Sequence, residues 1–224
     1  MLIWQLAALL SATLVSGDAD CNGVDGGTAF LDDCGNCVGQ IGSDIDGTPG
    51  DQKGYSVSLS GDGTIMAVGA TGPNSEGIVR VYQRDPWTQI GGDIDGEVDG
   101  DESRVVSLSR DGSVVAIGGK AYGSNHGHVR VFRNVAGAWS QIGDNIDGAE
   151  SWLFHGTSVS LSDNGMIIAV GATWDFSDTT ASREGAVRIY NLVANEWTEI
   201  KKISGEADSD RSGHSVSLSA DGST

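Results

Sequence analysis

The sequence predicts an all-β protein, a partial β-propeller of four-stranded antiparallel blades with about three and a half blades present. Three observations predict it. A unit of about fifty residues repeats along the chain, each unit carries one Asp-Gly or Asn-Gly turn between runs of β-branched residues, and the runs lack the apolar period of a helix.

Gln40-Ile41-Gly42 recurs as Gln89-Ile90-Gly91 and Gln141-Ile142-Gly143, and more loosely as Glu199-Ile200-Lys201. Asp44-Ile45-Asp46-Gly47 returns as Asp93-Ile94-Asp95-Gly96 and Asn145-Ile146-Asp147-Gly148. Three units are complete and a fourth begins near Glu199. Each unit reads as four strands. The first, residues 55–60, sets Val57 and Leu59 among serines, with copies at 158–162 and 215–219 and a divergent one at 105–109. One bulky and one small face suits a crowded centre. Asp62-Gly63, Asp111-Gly112, Asn164-Gly165 and Asp221-Gly222 then read as two-residue hairpin turns that accept positive φ. The second strands, 65–70, 114–119 and 166–172, are apolar on both faces and end in small residues, as strands sandwiched between neighbours do. The third keep one Arg between β-branched residues: Val79-Arg80-Val81-Tyr82, Val129-Arg130-Val131-Phe132 and Val187-Arg188-Ile189-Tyr190. The fourth carries Trp87, Trp139 or Trp197 and runs into the next Gln-Ile-Gly. A β-solenoid is the competing architecture, but its coils are shorter and have fewer hairpin turns.

Gly54-Tyr55-Ser56-Val57, the run ending Val68-Gly69-Ala70, and Gly77-Ile78-Val79-Arg80-Val81-Tyr82 resemble the FG-GAP repeat of the integrin α-subunit propeller and its secreted relatives. Residues 156–172 and 185–190 match as well. The resemblance covers residues 40–224 and implies a propeller fold. The chain departs from the pattern where the family Phe is replaced by Lys53, Ser103, His155 and Ser212, and the Pro by Thr71, Lys120 and Thr173. In the family, calcium often sits in a long Asp-rich loop between the first two strands. Here that loop is a bare turn, too short to supply the roughly six to eight oxygens that calcium takes.

Ahead of the repeats, Leu2, Ile3, Trp4, Leu6, Leu9, Leu10, Leu14 and Val15 form an apolar stretch closed by Ser16-Gly17, which predicts a signal peptide over residues 1–17. It is too short for a bilayer span of about 20 residues, so no membrane span is expected. An exported chain meets an oxidising compartment, which makes Cys21, Cys34 and Cys37 disulfide candidates. Three thiols cannot all pair with one another. Asp18, Asp20 and Asn22 followed by Gly23 open like a calcium loop, with Asp25 as a further oxygen donor, although Ala29 stands where the bidentate acid belongs. Asp-rich turn chemistry is the other reading of these residues. Residues 18–39 resemble the Cys- and Asp-rich modules akin to thrombospondin type 3 repeats, which implies a calcium-linked spacer before the propeller at 40–224.

Thirteen Lys+Arg against 31 Asp+Glu give a net charge of −18, which repels phosphate backbones and excludes nucleic acid as a partner. Residues that recur in every unit build the blade, so Arg80, Arg130 and Arg188 are expected to pair between blades with the Asp-Ile-Asp-Gly acids. Asp44, Asp46, Asp93, Asp95, Asp99, Asp101 and Asp147 read as turn caps. His126, His128, His155 and His214 are scattered, and no catalytic motif is present, so no catalysis is expected. The third unit alone inserts Trp152-Leu153-Phe154-His155 before its first strand and Trp174-Asp175-Phe176-Ser177 after its second. Both loops leave an up-and-down blade on the same face, so Trp152, Phe154, His155, Trp174 and Phe176 are the candidate ligand-binding residues. They suit an interface hot spot or a sugar-stacking platform, or else fill a gap between blades. The sequence thus reads as a secreted or cell-surface adhesion module recognising an extracellular protein or glycan, with further blades or other copies closing the ring. A propeller hydrolase or lyase and a purely structural extracellular repeat are the rivals.

Overall fold

The structure, a computed structural model, describes residues 30–31, 37–38, 44–47, 49–72, 75–84, 86–121, 126–148, 154–175 and 183–224. The chain divides into two units, Met1–Ser43 and Asp44–Thr224. In the first, β1 (Phe30–Leu31) pairs antiparallel with β2 (Cys37–Val38). The expected signal peptide, the calcium candidates Asp18, Asp20, Asn22 and Asp25, and Cys21 and Cys34 lie outside the described residues; Cys37 falls in β2.

The second unit is all-β, a partial propeller of antiparallel blades in which successive strands neighbour one another. Blade one comprises β3 (Ser56–Leu59), β4 (Ile65–Ala70), β5 (Ile78–Gln83), β6 (Thr88–Gln89) and β7 (Ile94–Asp95). Blade two comprises β8 (Ser103–Leu108), β9 (Val114–Gly119), β10 (His128–Val135), β11 (Ala138–Gln141) and β12 (Ile146–Asp147). Blade three comprises β13 (His155–Leu161), β14 (Ile167–Ala172), β15 (Ala186–Val193) and β16 (Glu196–Ser204). The order in each sheet follows the chain. The fourth strand is split in blades one and two, where Gly91 and Gly143 take φ of 77° and 69° and break the ladder. Blade three has Lys201 in place of that glycine, and β16 runs through with one register shift against β15.

The hairpin between first and second strands is longer than the two-residue turn expected. Ser60 accepts the Gly63 N–H at 2.9 Å, and Gly63 alone takes positive φ, 68°. Asp62 Oδ1 gathers the Ser60 hydroxyl at 2.7 Å and the Thr64 N–H at 2.9 Å. These bonds, that to Ser60 foremost, hold the Asp62 carboxyl down to about 2. The arrangement returns at Ser109-Asp111, Ser162-Asn164 and Ser219-Asp221. The turns also join one another, since Gly61 N–H donates to Arg110 O, Arg110 N–H to Asp163 O, and Asp163 N–H to Ala220 O.

The second strand is core on both faces because a blade stands on each side. From β9, Val115 and Ile117 pack with Ala67, Val79 and Val81 of blade one. Val114 and Ala116 pack with Val159, Leu161, Ile168 and Val170 of blade three. The serines of the first strand have a backbone task. Ser56 and Ser58 hydroxyls accept the Val106 and Leu108 N–H groups at 3.1 and 2.9 Å, and Ser107 accepts that of Leu161 at 3.0 Å. Side-chain oxygens thus substitute for a ladder between the innermost strands. The small residue ending each second strand is explained by close approach, because a Cβ at Gly118 would overlap the Gly156 carbonyl and one at Gly69 that of Arg104.

Two surfaces differ from the repeated pattern. Val57 and Leu59 of β3 are 53% and 54% exposed, whereas their equivalents Val106 and Leu108 are buried against the preceding blade. Residues 215–219, expected as a first strand, run beside β13 with Leu218 N–H on Ser160 Oγ at 3.0 Å. They form no ladder, because no second strand pairs with them among the described residues. Among the described residues no helix is long and apolar enough to cross a membrane.

Candidate functional site

The loops before each first strand and after each second strand share one face, and the chemistry of the chain collects there. Each loop before a first strand holds a non-glycine residue at positive φ: Gln52 at 44°, Glu102 at 55°, Phe154 at 51° and Arg211 at 55°. Such conformations are strained by about 1–3 kcal/mol each and mark places where the surroundings dictate the backbone. In blades one to three, these side chains meet the loop after the second strand. Gln52 accepts from Thr71 at 3.2 Å, Glu102 meets Lys120 at 3.4 Å, and Phe154 meets Trp174 with ring centroids 5.7 Å apart and planes at 79°.

Of the aromatic candidates, Phe154 and Trp174 are therefore brought together, both half-buried. Trp152 and Phe176 lie outside the described residues. His155 is fully buried, its ring edge-on to Tyr190 with Nε2 and the phenol oxygen 3.4 Å apart. Burial, with the Arg188 charge adding to it, pushes the imidazole down to about 3, so it is neutral and belongs to the interior rather than to an exposed platform.

A Ser, His and Asp do converge in blade two. His128 Nε2 lies 3.0 Å from Asp101 Oδ1 and 3.2 Å from Ser103 Oγ, and Nδ1 lies 3.7 Å from Glu97 Oε2. A nucleophile pair needs the hydroxyl and the acid on opposite ring nitrogens, whereas here both face Nε2 and all three side chains are fully buried. The cluster is a latch between the loop before β8 and the start of β10. Burial works to raise the Asp101 carboxyl, but the His128 contact, the Glu97 N–H and Ser103 outweigh it and hold it below the usual range. Gly119 admits the latch, since its Cβ would sit 2.6 Å from Ser103 Oγ.

The recurrent arginines divide. Arg130 reaches the blade-one carbonyl of Asp95 at 2.7 Å. Arg80 instead pairs with Asp93 of its own blade through two bonds, 2.9 and 2.7 Å, because β7 returns to pair with β5 beside it. Arg188 bridges Asp175 at 2.6 Å and Glu199 at 2.8 Å, also within its blade. A cleft of about 340 Å³ near Asp51, Thr71 and Arg80 thus has its guanidinium already neutralised.

Another cleft lies at blade three. It measures about 470 Å³ and is lined by Thr173, Trp174, Arg183, Asp208, Ser209 and Arg211. The Arg183 guanidinium lies over the Trp174 ring, 5.2 Å from its centroid. Asp208 Oδ1 accepts the Arg183 backbone N–H at 2.9 Å, and Ser209 N–H bonds the Arg183 carbonyl at 2.8 Å, fixing the two walls to each other. Behind Trp174, the buried Asp175 is held by Arg188 and, at 3.6 Å, by Lys202. Sequence reasoning found Trp174 but missed Arg183, Asp208 and Arg211. A signal was present, since 205–212 repeats 96–103 but puts Arg211 where Glu102 stands. Among the described residues, no group of three or more His, Cys, Asp or Glu side chains could hold a metal ion.

No protein-family model and no curated protein sequence matches the chain. Among solved structures it is similar to a putative 6-phosphogluconolactonase from Bacteroides fragilis, with 16% identity over 68% of this chain and 39% of that one and a TM-score of 0.47. A putative 6-phosphogluconolactonase from Bacteroides uniformis gives 13% identity over 81% and 52%, TM-score 0.47. The β-propeller domain of the trilobed protease from Pyrococcus furiosus gives 11% identity over 68% and 42%, TM-score 0.47. The chain spans about half the length of these proteins or less. The adhesive function expected from the sequence is corrected: these similar structures are named as putative lactonases and a protease domain, and none of the three as an adhesion module.

Proposed function

We propose that this chain is part of a propeller hydrolase or lyase whose substrate binds at the blade-three cleft. The observation that carries the reading is a small-molecule-sized cleft whose lining includes Asp208, Arg183, Arg211 and Trp174. Asp208 is the group on the cleft wall suited to take a proton from water. The two arginines are suited to stabilise the oxyanion that forms as water adds to an ester or lactone carbonyl. Within the propeller class we read the repeat as FG-GAP-like, supported by glycines at 69, 118 and 171 where the next blade's backbone approaches.

The test is acid release from D-glucono-δ-lactone and 6-phosphogluconolactone, followed by a pH indicator, with wild type and Asp208→Asn. Catalysis that falls by about 100-fold in Asp208→Asn supports the reading. Acid release no faster than the spontaneous rate, or full activity in Asp208→Asn, overturns it.

A further inference from the structure

We infer that two copies of this chain join head to tail into a closed six-bladed propeller, the blade-one face of each seated on the far face of blade three of the other. These two faces are the halves of an interface that the chain itself builds twice. Ile94 and Ile146, paired across the sheet with Val79 and Val129, are buried against the first strand of the following blade, where they cluster with Val106 and Leu108 or with Val159 and Leu161. Ile203 holds the same register opposite Val187 yet is 46% exposed, and Ile200, at the place of the partly buried Ile90 and Ile142, is 58% exposed. At the other end Val57 and Leu59, the counterparts of Val106 and Leu108, are the side chains left bare. Each copy supplies three blades, and six lie within the range of about 4–8 over which propellers close.

The seat on blade three is held by a segment that the second copy can replace. Residues 56–60 and 215–219 are the same Ser-Val-Ser-Leu-Ser. Residues 206–220 therefore yield to 49–61 of the second copy, an exchange of equivalent elements that remakes the bonds it breaks. The Leu59 N–H takes the place of that of Leu218 on Ser160 Oγ, and the Gly61 carbonyl that of Ala220 on the Asp163 N–H. The incoming strand is the better prepared of the two. β3 is already held in a ladder by β4, whereas 215–219 join none among the described residues, so seating β3 costs less conformational freedom. Residues 44–47 of the incoming copy, aligned by the repeat with 202–205 of β16, likewise join no ladder and give way. Lys201 stands where Gly91 and Gly143 admit the indole of the next blade, so the junction forms without that clip and is reversible. The blade-three cleft, with Asp208 and Arg211 in its lining, then belongs to the unassociated chain.

Sedimentation velocity of the full chain over about 1–100 μM tests the inference. A reversible monomer–dimer equilibrium is expected, strengthened by added salt because each copy carries a charge of −18. Leu59→Asp and Ile203→Asp alter exposed positions of the single chain and put a carboxylate into both junctions of the dimer. Each is expected to weaken dimerisation at least about tenfold. Mixed in equal amounts, the two variants share one unaltered junction and are expected to pair more tightly than either does alone, a recovery that misfolded chains could not give. Leu218→Asp loosens the segment that must leave and is expected to tighten the dimer. A chain that stays monomeric throughout, or that grows past the dimer, overturns the inference. So does association that Leu59→Asp abolishes and Ile203→Asp leaves intact, which would place β3 against β3, and so does a mixture no tighter than its parts or a weakened dimer in Leu218→Asp.

Discussion

The indole N–H of Trp139 donates to the carbonyl of Ile90 in the preceding blade at 3.0 Å, and Trp197 does the same to Ile142. Gly91 and Gly143 make room for the rings, since a Cβ there would sit 2.7 and 2.6 Å from the indole Cδ1 atoms. This is why Gln-Ile-Gly and Trp recur together: the outermost strand of one blade is clipped to the blade before it. Trp139→Phe keeps an aromatic ring but removes the donor and the pyrrole half that packs over Gly91, and is expected to lower unfolding free energy by at least about 1 kcal/mol. Urea midpoints measure it, and an unchanged midpoint would show that the clip adds nothing to stability.

Close backbone approach sets a larger penalty. Gly118→Ala would drive a methyl into the Gly156 carbonyl, a backbone atom that cannot step aside, and is expected to cost about 3 kcal/mol. Gly92→Ala meets nothing within 4 Å and is expected to stay within about 0.5 kcal/mol of wild type. Equal melting behaviour of the two variants would remove the argument.

Serine hydroxyls stand in for a ladder at the propeller centre. Ser107→Ala leaves the Leu161 N–H without its acceptor and is expected to destabilise by about 1–3 kcal/mol. Ser217, at the equivalent position of the fourth unit, is exposed, and Ser217→Ala is expected to be nearly silent. Chemical denaturation of the pair distinguishes a structural hydroxyl from a merely small side chain.

His155 makes stability depend on pH with a definite sign. Its folded value is lowered from near 6.5 to about 3, so the unfolded chain binds the proton first. The associated stability is fully present above about pH 6.5 and drains away as pH falls below it. Between pH 7 and pH 5 this one group is expected to remove about 2 kcal/mol. In His155→Gln that part of the slope should vanish; a variant retaining the wild-type pH profile would contradict the assignment.

Much of the architecture was legible because it is written locally. Strand alternation, the Asp-Gly and Asn-Gly turns and the two-faced second strand each depend on neighbours a few residues away; the hairpins and second strands appear where expected, with turns longer than two residues and no ladder at 215–219. The fourth strands were less legible, since whether one runs through or breaks depends on a single residue, Gly91 or Gly143 against Lys201. Arg80 was expected to reach across blades and instead finds Asp93 beside it, because the chain folds back onto its own third strand. The site was the least legible part. His128 and Asp101 lie twenty-seven positions apart, and Trp174 and Arg183 belong to the connection between β14 and β15 while Arg211 belongs to the loop after β16, with no shared motif.

By itself the sequence determined that this chain forms repeated four-stranded blades and buries its second strands, because apolar periodicity and turn chemistry are short-range properties that survive in any orientation of the units. Only the tertiary structure decided which charges meet. The Asp101–His128 latch and the arginine-lined cleft exist because loops from different strands are carried to one face by blade geometry. Electrostatic partners are chosen by distance in space, which sequence spacing does not encode.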